Sequence, residues 1–116
     1  MKEFPATYLP TRELLKMAVS GEPAILYAGK PSLIRAYILP ISKWSDAILD
    51  VYGSNSGADI IRISRDELSV SALMSIIMEQ VTDDWSPGAF AILTLKGTEV
   101  AYVVPANSYW RERVEG

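Results

Sequence analysis

The spacing of apolar residues along this chain alternates between a period of two and a period near three and a half. Each change predicts a new element. Residues 1–6 suit a short strand in which Pro5 is tolerable only at an edge or an end. Leu14, Leu15, Ala18 and Val19 then form the apolar stripe of a helix running to about Ser20. Pro10 falls in or before its first turn and Gly21 stops it. Strands are predicted at 24–27 and 33–39, joined around Ala28-Gly29-Lys30-Pro31. Trp44, Ala47, Ile48 and Val51 line one face of a second helix, capped by Ser42 and ended by Gly53.

The pattern then begins again. A strand at 59–63 leads into Ser64-Arg65-Asp66-Glu67, a sequence that fits a capping box. That box opens the longest predicted helix, to about Thr82, with Leu68, Ala72, Leu73, Ile76, Ile77 and Val81 apolar. After a turn at 83–88 come strands at 89–95 and 99–104, and Asn107 caps a short last helix.

The recurrence extends to the residues themselves. Ala24-Ile25-Leu26 returns as Ala91-Ile92-Leu93, and Ala36-Tyr37-Ile38-Leu39-Pro40 returns as Ala101-Tyr102-Val103-Val104-Pro105. Self-similarity of this kind governs the whole architecture. The expected fold is α+β: two pseudo-symmetric β-α-β-β-α halves sharing an antiparallel sheet, with helices on its faces. Leu14, Leu15, Leu73 and Ile77 are expected among the buried positions. Residues 1–52 form the first half, 53–57 a Gly/Ser-rich linker and 58–116 the second half.

Composition narrows the chemistry. The 116 residues include no cysteine and no histidine. Disulfides, thiol nucleophiles, Cys/His zinc sites and the usual neutral-pH base are therefore excluded. An enzyme would have to work with carboxylates, Lys, Tyr or Ser alone, and Asp83-Asp84 has no companion cluster. A non-enzymatic protein without metal or cofactor is expected. Residues 1–57 carry six basic and five acidic groups (+1), and residues 58–116 carry five and nine (−4). A net-acidic chain is a poor general nucleic-acid binder, although a local basic face can still act. No apolar run approaches the roughly 18 residues of a spanning helix. Residues 1–5 lack the core of a signal peptide, so a cytoplasmic location without membrane contact is expected.

The motifs together resemble the Phd/YefM family of antitoxins. The matching residues in the first half are Ala6-Thr7, Leu14-Leu15, Gly21-Glu22-Pro23, Gly29-Lys30-Pro31, Ala36 to Pro40 and Trp44. In the second half they are Ile63-Ser64, Ala91 to Leu93, Lys96-Gly97, Ala101 to Pro105 and Tyr109. The resemblance runs through nearly the whole chain, twice. It implies two protomers of a DNA-binding dimer fused in one polypeptide, a monomer with internal pseudo-two-fold symmetry. It also implies operator DNA, and a toxin or other protein, as partners. The family's first helix commonly carries an Arg near its start, and its hairpin a Thr-Arg-Arg-like run. Here Pro10 stands near the first place with Arg12 as the nearest basic residue, and the hairpin runs are Tyr27-Ala28 and Thr94-Leu95-Lys96.

Arg12, Lys16, Lys30 and Arg35 are the candidates for a DNA face; the plainer reading is that they are solvated surface charges. Met74, Met78, Trp85, Tyr109 and Trp110 are the candidates for a protein-binding surface, with ordinary packing as the alternative. The corresponding functions are an antitoxin-like transcriptional regulator and a small inhibitory protein of phage or mobile-element type. The latter would keep the scaffold without DNA binding.

Overall fold

The computed structural model describes residues 1–29, 34–53, 60–78 and 84–116. In chain order the elements are β1 (Glu3–Pro5), α1 (Thr11–Ser20), β2 (Ala24–Ala28), β3 (Ile34–Pro40) and α2 (Ile41–Tyr52). They continue as β4 (Ile61–Ser64), a 3-10 turn (Arg65–Glu67), α3 (Val70–Met78), β5 (Ala91–Leu95), β6 (Thr98–Pro105) and α4 (Ser108–Val114). Of the expected linker only Gly53 lies within the described residues.

All six strands join one sheet in the order β1-β2-β3-β6-β5-β4. The three inner pairings are antiparallel, but β1 runs parallel to β2 and β4 parallel to β5. The sheet is therefore mixed rather than antiparallel throughout. The cause is local. Each outer strand reaches its neighbour through a helical crossover, α1 or α3, and such a connection brings the chain back in the same direction. At the centre Ala36 pairs with Pro105, Ile38 with Val103 and Pro40 with Ala101.

Alternation along the strands separates two apolar layers. Ala24, Leu26, Ala36, Ile38, Leu93, Ala101 and Val103 face Leu14 and Met17 of α1 and Leu73, Ile76 and Ile77 of α3. Residues of the opposite parity, including Ile25, Tyr37, Leu39 and Val104, meet Ile48 of α2 and Trp110 of α4. Among the described residues the result is a sheet with two helices on each face. The Cα radius of gyration, 12.9 Å, is close to the roughly 13 Å of one domain of this length, so the halves form a single body.

Several local details differ from the sequence expectation. On α1 the buried residues are Leu14 and Met17, whereas Leu15 is 50% and Val19 89% exposed. Apolar residues at 14, 15, 17, 18 and 19 nearly surround this helix, and the sheet selects the Leu14–Met17 side. Ser42 does not cap α2, which begins directly after Pro40. Its hydroxyl donates instead to the Ala18 carbonyl at 3.0 Å. The capping box at Ser64 is not formed either. The chain turns through the 3-10 segment and then extends at Leu68. The Ser69 hydroxyl accepts the Ala72 N–H at 3.0 Å, starting α3 five residues later than expected. Residues 79–82 of that helix lie outside the described residues.

Other signals hold. Gly21 closes α1 with φ of +75°. It is also where α1 approaches α2: a Cβ at this position would stand 2.9 Å from Lys43 Cβ, and the Trp44 indole N–H donates to the Gly21 carbonyl at 3.3 Å. The Gly-Glu-Pro turn and the helix-opening Trp44 are thus one packing unit. Asn107 caps α4, its side-chain oxygen accepting the Trp110 N–H at 3.0 Å. Lys96 and Gly97, both with positive φ, make the tight β5–β6 hairpin turn.

Candidate interaction surface

The outer face of α1 combines exposed cations with exposed apolar side chains. Burying Leu14 and Met17 against the sheet turns Arg12, Leu15, Lys16 and Val19 towards solvent. Helical spacing aligns Leu15 with Val19 and Arg12 with Lys16, giving one apolar and one cationic row side by side. Glu13 sits at the edge of this face, accepting a hydrogen bond from Lys2 at 3.1 Å and lying 3.8 Å from Lys16. That hydrogen bond, with the nearby charges of Lys2, Lys16 and Arg12, lowers the Glu13 carboxyl below its ordinary value. Lys16 is therefore partly balanced. Arg12 forms no ion pair among the described residues.

Arg35 does not join Arg12 and Lys16. It shares the strand parity of Tyr37 and lies on the sheet face opposite α1, where its guanidinium meets Glu3 at 2.7 Å. The expected four-residue basic face is thus divided, and its fourth member, Lys30, lies outside the described residues.

The aromatic and methionine candidates separate in the same way. Met74 on α3 is 40% exposed and Trp85 62% exposed. Met78 ends α3, and its side chain lies outside the described residues. Tyr109 is half-buried, with the Arg113 guanidinium 3.7 Å above its ring and the Trp110 ring at its edge. Trp110 has no exposed surface with which to meet a partner. Its indole N–H donates to the Pro87 carbonyl at 2.8 Å, while Asn107 donates to Ser86 at 2.7 Å and Tyr52 to Gly88 at 2.9 Å. Asp84 accepts from the Ser108 hydroxyl, which lowers the Asp84 carboxyl below its ordinary value. The segment before β5 is thus fastened to α4 and α2, and Trp110 is its central structural pin.

The feature sequence reasoning missed is the exposed Leu15–Val19 row. The signal was present as an excess of apolar residues around α1, more than one buried face needs. No helix among the described residues is long and apolar enough to cross a membrane. No family model, curated protein or solved structure matches this chain.

Proposed function

We propose that this chain is a non-catalytic regulator on a Phd/YefM-type scaffold, with both halves of the family's dimer carried in one polypeptide. The observation that carries the reading is the sheet, whose strand order and pairing directions read the same from either edge. The central register is equally balanced, the first Ala-Tyr-X-X-Pro run lying antiparallel to the second with Ile38 and Val103 in the middle. The ion pairs support it too. Glu3 on β1 reaches Arg35 on β3, and Arg62 on β4 reaches Glu99 on β6, each across one intervening strand and each at 2.7 Å. The same link is kept with the charges exchanged. Setting β1 in the place of β4 would bring Glu3 towards Glu99, so the halves have diverged into non-interchangeable partners.

In this reading the outer face of α1 is the contact surface, with Arg12 and Lys16 meeting phosphate oxygens of operator DNA. A second reading, a protein that blocks another protein's surface, is favoured by the exposed Leu15 and Val19, since phosphate recognition makes no use of an apolar row. The test is binding of duplex DNA from directly upstream of the chain's own gene, wild type against Arg12→Glu/Lys16→Glu. Loss of binding in the folded variant supports the DNA reading. Unchanged affinity removes these residues from it.

A further inference from the structure

On the sheet face that carries α2, a groove of about 320 Å³ opens between that helix and strands β5 and β6. Its size falls in the range of small-molecule sites. We infer that this groove binds a small organic cation with a planar charged head and an apolar body, an aryl amidinium or alkyl guanidinium, through Asp46 and the rings beside it.

The floor is aromatic and aliphatic. Phe90 packs against Tyr52 with ring centroids 4.4 Å apart and meets Tyr102 edge-on at 6.0 Å. Ile92 continues the floor, and Leu49, 54% exposed, forms part of the helical wall. The polar groups are few, Ser45, Asp46 and the two tyrosine hydroxyls, and Asp46 is the one charged group among the described lining residues. Asp46 lines the groove and forms no ion pair among the described residues. Asp50, one helical turn further on, adds charge of the same sign. Burial raises the Tyr52 and Tyr102 hydroxyls above their ordinary value, so both rings stay neutral phenols with electron-rich faces. A carboxylate beside such rings attracts a cation and disfavours an anion.

The other Ala-Tyr-X-X-Pro run offers a contrast within the same molecule. There the tyrosine, Tyr37, is almost wholly buried and gives its hydroxyl to Glu115 of the chain's own C-terminal segment. Tyr102 is half-buried and lines the groove, and its hydroxyl has no hydrogen-bond partner among the described residues. A polar site filled internally in one half is left accessible in the other.

The experiment is a chemical-shift titration of the intact chain with benzamidine, its neutral isostere benzamide, and N-acetylarginine methylamide. The expected result is saturable shifts for Leu49, Phe90 and Tyr102 with benzamidine, and binding at least about fivefold weaker with benzamide. Asp46→Asn should weaken benzamidine by a similar factor; Asp46 is exposed, and circular dichroism verifies that the variant folds. If the arginine derivative binds tighter than benzamidine, the cation is a partner's side chain; if weaker, it is a free small molecule. Both outcomes support the site. Equal shifts with benzamidine and benzamide, unchanged affinity in Asp46→Asn, or no saturation at millimolar ligand would overturn it.

Discussion

Ile38 of β3 lies directly opposite Val103 of β6, at the middle of the strand pair through which the two halves meet. Ile38 is fully buried and Val103 nearly so. Each half supplies three strands to one continuous sheet, and opening either half would expose the buried inner strand, β3 or β6, of the other, so the two are expected to unfold together. Ile38→Ala should therefore cost about 2–5 kcal/mol, the usual range for truncating a buried aliphatic residue. Urea unfolding followed by tryptophan fluorescence and by far-UV circular dichroism should give one coincident transition, shifted to lower urea. Two separated transitions would show that the halves fold independently.

The orientation of α1 can be tested by comparing adjacent leucines. Leu14 is 1% exposed and Leu15 50% exposed. Leu14→Ala should destabilise by about 2–5 kcal/mol. Leu15→Ser should stay within about 0.5 kcal/mol of wild type, as exposed positions usually do. Equal losses at the two positions in chemical denaturation would place the helix in the other rotation.

Trp110→Phe removes the nearer of two donors to the half-buried Pro87 carbonyl, the other being the Tyr52 hydroxyl at 3.3 Å, and part of the core beneath α4. Losing that hydrogen bond costs about 0.5–1.5 kcal/mol, and the lost ring volume adds to it. The guanidinium midpoint should fall accordingly, with an unchanged m-value because the fold persists. A variant as stable as wild type would contradict the assignment of Trp110 as a structural pin.

Tyr37 makes stability depend on alkaline pH. Burial, and then its hydrogen bond to Glu115, push the Tyr37 hydroxyl up to about 12 from an ordinary value of 10.0. Between these two values the unfolded chain releases the proton while the folded chain keeps it. The unfolded state then binds fewer protons, so stability falls as pH rises through this window and levels off above it. Urea midpoints from pH 8 to 12 should decline less steeply in Tyr37→Phe than in wild type. Parallel profiles would remove Tyr37 as a cause.

Much of the fold was legible because its signals are local. The stop at Gly21, the cap at Asn107 and the two Ala-Tyr-X-X-Pro strands depend on a few neighbouring residues, and all were found in their expected places. The start of α3 was not, because Ser64 and Ser69 can both act as caps. The extended conformation at Leu68, which no local pattern announces, gives that role to Ser69. The rotation of α1 was ambiguous for a different reason: Leu15 and Met17 compete for one buried face, and only the sheet decides. Arg35 looked like a free cation because its partner, Glu3, lies 32 residues away in sequence and meets it only across β2.

The proposed regulator is tested most directly by fluorescence anisotropy with upstream duplex DNA, against a scrambled duplex, at about 50 and 200 mM salt. If Arg12 and Lys16 each neutralise one phosphate, affinity should fall roughly tenfold across that fourfold change in salt, and Arg12→Glu/Lys16→Glu should abolish binding. Tight binding that prefers the upstream sequence and weakens with salt is the expected result. No binding at about 50 mM salt would contradict the DNA reading and leave the exposed Leu15–Val19 row of α1 as a surface for another protein.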